Sequence, residues 1–125
     1  MTGLTVERMK VDGALAGGVL ENFVLMELRK QSAWSKSQPE FFFWRTAAGQ
    51  EVDIVLEDSA GRLVGIEIKA GATLGGSDVR GLQAMATATG KRWVRGVVLY
   101  TGTEVIPFAA NLHGLPVSRL WATDK

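Results

Sequence analysis

Hydrophobic and polar residues alternate most clearly between Glu51 and Lys69. Val52, Ile54 and Leu56 alternate with Glu51, Asp53 and Glu57 in a first run; Val64, Ile66 and Ile68 alternate with Leu63, Gly65, Glu67 and Lys69 in a second. Period-two alternation around a short polar turn predicts a β-hairpin. A three-residue loop Ser59-Ala60-Gly61, with Gly61 in the left-handed conformation, would pair Asp58 with Arg62. Leu56 then faces Val64, Ile54 faces Ile66, and Asp53 falls opposite Glu67.

Upstream, Val19–Gln31 carries helical periodicity. Leu20, Phe23, Val24 and Glu27 form one stripe, and Val19, Phe23, Met26 and Lys30 the next. Leu25 and Leu28 widen the apolar sector, which predicts a largely buried helix. Glu40–Arg45 reads as an aromatic strand, and a turn at Ala47-Ala48-Gly49 would pair Thr46 with Gln50, Trp44 with Val52 and Phe43 with Asp53. Ala70–Gly76 is a glycine-rich crossover without a nucleotide-binding glycine pattern. Ser77–Thr89 reads as a helix with Val79, Leu82, Met85 and Ala86 inward and Gly90 as its stop. Trp93–Tyr100 is a buried strand, Thr103–Phe108 an edge strand ended by Pro107, and Val117–Trp121 a last short strand. Helix, three strands, helix, strand and a β tail predict an α/β fold, a three-layer αβα arrangement with one helix on each face of a mixed sheet.

Met1–Val11 shows no period. Residues 1–14 are therefore expected to be poorly ordered or vector-derived, and 15–125 to form a single domain. The 125 residues are 46% hydrophobic and carry a net charge of +1, a globular composition without a strong nucleic-acid footprint. There is no cysteine, which removes disulfides and thiolate metal sites and fits a reducing compartment. The apolar run Val19–Leu28 is too short to span a bilayer and contains Glu21 and Glu27. With nothing resembling a signal peptide, a cytoplasmic location is expected.

The hairpin register gathers Asp53, Glu67 and Lys69 into one patch. Directly opposed carboxylates repel, and Lys69 relieves part of that repulsion. A divalent cation would relieve more, since Mg²⁺ is commonly held by one or two carboxylates with water and phosphate oxygens. The plainer reading is a solvated strand face of mixed charge. Arg45 offers a guanidinium suited to phosphate, and Arg80 and Gln83 approach the patch or face solvent. Glu21 either complements its helix dipole or leans over the patch as a third carboxylate. His113, without a second histidine or any cysteine, is expected in a loop and not as a ligand.

Asp53 followed by Glu67-Ile68-Lys69 resembles the signature of the PD-(D/E)XK nuclease superfamily, with Val52 in place of the proline. A closer resemblance is to a domain of unknown function attached C-terminally to bacterial and archaeal AAA+-type ATPases. It is carried by Gly18–Val24, Phe43-Trp44-Arg45, Glu51–Val55, Ile66–Gly71, Arg95–Tyr100 and Leu115-Pro116-Val117, and spans about Gly18 to Trp121. The resemblance implies the αβββαβ core of the restriction-endonuclease-like type. It further implies a Mg²⁺ or Mn²⁺ site at Asp53 and Glu67, with Lys69 positioning the attacking water and Glu21 aiding a second metal or orienting water. Arg45 and Arg80 would contact nucleic acid. The implied partner is an ATPase module N-terminal to this segment, with oligomeric state left open. A module that binds nucleic acid or protein without hydrolysis, or one that only stabilises the ATPase assembly, is the alternative.

Overall fold

A computed structural model describes residues 6–10, 19–32, 39–46 and 49–120. Seven strands form one mixed sheet in the order β1-β2-β3-β4-β5-β7-β6. They are β1 (Val6–Lys10), β2 (Glu40–Thr46), β3 (Glu51–Glu57), β4 (Leu63–Lys69), β5 (Trp93–Tyr100), β6 (Ile106–Ala109) and β7 (Leu112–Pro116). Two helices, α1 (Val19–Ser32) and α2 (Arg80–Thr89), accompany them; a 3-10 turn, Gly76–Val79, leads into α2. No helix among the described residues is long and apolar enough to cross a membrane.

The central hairpin forms as its turn chemistry dictates. Gly61 has φ 85°, and the Asp58 N–H donates to the Arg62 carbonyl at 3.1 Å, closing the three-residue loop. The Asp58 carboxylate reinforces it by accepting from the N–H groups of Ala60 and Arg62, each at 2.9 Å, and from Arg62 Nε at 2.7 Å. Leu56 faces Val64 and Ile54 faces Ile66, the register expected from the loop length. The α2 crossover returns the chain to β5, which runs parallel to β4.

Two cores lie on the two faces of the sheet. Val24 and Leu25 of α1 pack with Phe41, Ile54, Ile66, Ile68 and Leu99. Leu82 and Met85 of α2 pack with Trp44, Val52, Val55, Leu63 and Val98 on the other side. The element order α1-β2-β3-β4-α2-β5 and a helix on each face agree with the expected mixed α/β arrangement.

Four details differ from the sequence pattern. The chain gains an edge strand, β1, inside the segment expected to be poorly ordered: Val6–Lys10 pairs antiparallel with β2, Val6 opposite Thr46 and Lys10 opposite Phe42. Secondly, α1 is less buried than its wide apolar sector predicts, because Phe23 and Met26 stay 51% and 69% exposed. Thirdly, β3 carries a bulge. Phe42 pairs with Val55 and Trp44 with Val52, so three steps on β3 match two on β2. The extra residue replaces the expected Phe43–Asp53 pairing and turns Val52 to the α2 side while Ile54 stays on the α1 side. Lastly, the tail forms a β6–β7 hairpin. Thr103–Val105 is a bend closed by the Tyr100 hydroxyl, which donates to the Glu104 carbonyl at 2.6 Å. His113 lies in β7, not in a loop, with its Nδ1 buried and lacking a hydrogen-bond partner. Val117–Leu120 is a 3-10 turn instead of a strand, and Trp121 lies outside the described residues.

Candidate functional site

The β3 bulge and the end of β4 together build the site. The β3–β4 ladder stops at Ile54–Ile66, and beyond it the Asp53 carboxylate does the work of a backbone acceptor. Asp53 Oδ2 accepts from the Ile68 N–H at 2.9 Å. The same side chain is hydrogen-bonded to the carboxyl of Glu67, so the two acids expected to be neighbours do meet.

Glu67 lies under α2, not on a solvated face. Its Oε2 is 3.0 Å from the point where a Cβ on Gly81 would sit, and the Glu51 carbonyl oxygen is closer still to that point. Only a residue without a side chain lets the helix settle so near. Burial pushes the Glu67 carboxyl up to about 10, with further upward contributions from the hydrogen bond to Asp53 and from the charges of Asp53 and Glu51. At neutral pH Glu67 is therefore protonated. That proton relieves the repulsion that direct opposition would create.

Lys69 shares the Glu67 face of β4 but turns to a different acid. Its Nζ lies 2.7 Å from Asp78 Oδ1, in the 3-10 turn before α2. Asp78 Oδ2 accepts from the Gly75 N–H at 2.7 Å, and the hydrogen bond from Lys69, followed by that from Gly75, holds the Asp78 carboxyl below its ordinary range.

The other expected members are placed less centrally. Glu21 lies on α1, whose core residues pack on the opposite face from α2; its side chain is outside the described residues. Arg45 is 3.3 Å from Glu51 Oε2 and stacks over Phe43, which packs on the α1 side, so it is not brought to the Glu67 face. Arg80 is exposed and immediately precedes Gly81, the glycine that lies against Glu67. Asp78 and Gly81 escaped the sequence reading. Asp78 carries a legible signal, an acid following Gly75-Gly76-Ser77 in the first turn of a predicted helix. Gly81 reads only as a helix-weakening glycine until the sheet beneath it is known.

As a donor set, the two carboxyl groups offer hard oxygens to a small divalent cation, which would replace the Glu67 proton and supply the same relief of charge. No group of three or more His, Cys, Asp or Glu side chains is arranged around a metal position among the described residues. Any cation here would therefore complete its shell with water or a ligand's oxygens.

A family model, "Domain of unknown function (DUF4143)", matches residues 16–120. The chain belongs to this family. No curated protein and no solved structure matches it.

Proposed function

We propose that this member of the DUF4143 family is a nuclease-like module in which Asp53 and Glu67 hold Mg²⁺ or Mn²⁺ and Lys69 assists hydrolysis of a phosphodiester in nucleic acid. The observation that carries the reading is the meeting of Asp53 and Glu67 where the β3–β4 ladder ends, with Lys69 two residues along the same strand face. The order α1-β2-β3-β4-α2-β5 supports a PD-(D/E)XK-like core around it. When bound, the cation supplies Lewis acidity at the phosphate and lowers the pKa of water. The chain's own contributions are separate. Asp53, anchored by the Ile68 amide, would keep one carboxylate oriented; the half-buried Glu67 would give up its proton to a cation; Lys69 would offer an ammonium for water or for developing charge. Arg80, exposed beside Gly81, would meet a phosphate backbone. For Glu21, carried by the helix on the opposite face from α2, a part in orienting water or aiding a second cation rests on the family resemblance alone. The module would serve an ATPase lying N-terminal to it.

Two contacts favour a second reading, a non-hydrolytic nucleic-acid- or protein-binding module. Lys69 is engaged by Asp78, and Glu67 is roofed by α2 at Gly81.

Incubating the purified chain with Mn²⁺ or Mg²⁺ and labelled single-stranded, duplex and branched DNA or RNA separates the two readings. Hydrolysis requires cleavage that Asp53→Ala and Lys69→Ala each abolish, with Mn²⁺ binding weakened by Asp53→Ala and retained by Lys69→Ala. No cleavage of any substrate, together with no Mn²⁺ bound at millimolar concentration, leaves the binding module.

A further inference from the structure

Lys69 and Glu67 lie two residues apart on β4 and so share a face of the sheet. On that face the Glu67 carboxyl, two residues away on the same strand, is one partner open to the ammonium. The structure shows a different pairing. Lys69 Nζ contacts Asp78 Oδ1 at 2.7 Å.

Asp78 is well built to win this competition. Its side chain is 16% exposed, against 43% for Lys69, so the lysine comes to a fixed acid and not the reverse. Two bonds fix that acid: Asp78 Oδ2 accepts from the Gly75 N–H at 2.7 Å, and the Asp78 N–H donates to the Gly75 carbonyl at 3.0 Å. The crossover therefore presents a preorganised carboxylate, and holding Lys69 there requires little further ordering of the acid.

We infer that Asp78 is a positioning residue that diverts the Lys69 ammonium from the Asp53–Glu67 pair and so keeps the pair open to a divalent cation. The inference rests on the cation-site reading above and adds a residue that reading does not use. An ammonium and a divalent cation compete for the same two carboxyls. Removing the Asp78 charge releases Lys69 toward them and weakens cation binding; removing Lys69 deletes the competitor.

The test is Mn²⁺ affinity of the full chain, read from the electron paramagnetic resonance signal of free Mn²⁺, with folding of each variant confirmed by circular dichroism. Asp78→Asn is expected to weaken binding roughly tenfold, the scale for one unit charge brought near a partly solvated site. Asp78→Glu, which keeps the charge, restores most of the affinity. Lys69→Met binds at least as tightly as the wild type. In the Lys69→Met background Asp78→Asn changes affinity by less than about twofold, because the effect travels through the lysine. A merely structural ion pair would lower the melting temperature of Asp78→Asn and leave Mn²⁺ affinity unchanged, which overturns the inference while the cation site stands. An equal loss in the Lys69→Met background also overturns it, as does weaker Mn²⁺ binding by Lys69→Met alone. Absence of Mn²⁺ binding by the wild type overturns the cation site itself, and this inference with it.

Discussion

Replacing Glu67 by glutamine isolates the energetic consequence of the proton that Glu67 holds. The Glu67 carboxyl is raised from 4.5 to about 10, first by burial and then by its hydrogen bond to Asp53 and the nearby acidic charges. Because the folded-state pKa lies above the unfolded one, folding favours the protonated form. The associated stability is fully present below 4.5 and is lost as pH rises toward 10. Glu67→Gln keeps a donor to the Asp53 carboxylate but cannot titrate, so it is free of this slope. Between pH 5 and pH 7 the two proteins should diverge by up to two pH units' worth, on the order of 2–3 kcal/mol at about 1.36 kcal/mol per unit. The direction favours the variant as pH rises. Titrating groups remote from Glu67 are common to both proteins and cancel in the difference. Urea unfolding followed by tryptophan fluorescence, in the presence of a chelator at pH 5, 6, 7 and 8, measures it. Stability curves that stay parallel within about 0.5 kcal/mol from pH 5 to 8 would refute the protonated Glu67, since fluctuations of that size are ordinary for surface substitutions.

Two further outcomes follow from the geometry. Gly81→Ala should lose about 1–2 kcal/mol in urea unfolding despite the better helix propensity of alanine, because the new Cβ meets the Glu51 backbone carbonyl; Gly76→Ala, with nothing within 4 Å of its Cβ, should stay within about 0.5 kcal/mol. Asp58→Asn should lower the melting temperature at pH 7, and the difference should shrink as pH drops below 3.8. The Arg62 amide, followed by other Arg62 and Ala60 contacts opposed by burial, holds the Asp58 carboxyl below that value, so its contribution is present above 3.8 and lost on acidification through the lowered pKa.

Local chemistry explains which parts of the fold were readable from the residues. Gly61 and the loop length determine the hairpin register, and that register brings Asp53 to Glu67. Glycine termination at Gly90, with φ 58°, ends α2 where the periodicity stops. The features that escaped depend on partners distant in sequence. The β3 bulge arises from the mismatch with β2, and strict alternation hides it by placing Val52 and Ile54 on one face. β1 has no period of its own because an edge strand is specified by its neighbour's unpaired backbone. Asp78 reads as an ordinary helix-start acid until the Lys69 ammonium is found against it. The exposure of Phe23 and Met26 likewise depends on how much of α1 the sheet covers, a quantity outside the helix's own periodicity.

The β1–β2 pairing bears on where this domain can be cut. The family match begins at residue 16, whereas β1 lies at Val6–Lys10. A recombinant fragment trimmed to the match would strip the backbone partner from β2 and leave the stretch Phe41-Phe42-Phe43-Trp44 as a bare sheet margin. An unpaired aromatic strand without proline is a template for intermolecular strand addition, so insolubility of such a fragment would report the missing cover strand and not a failure of the domain to fold.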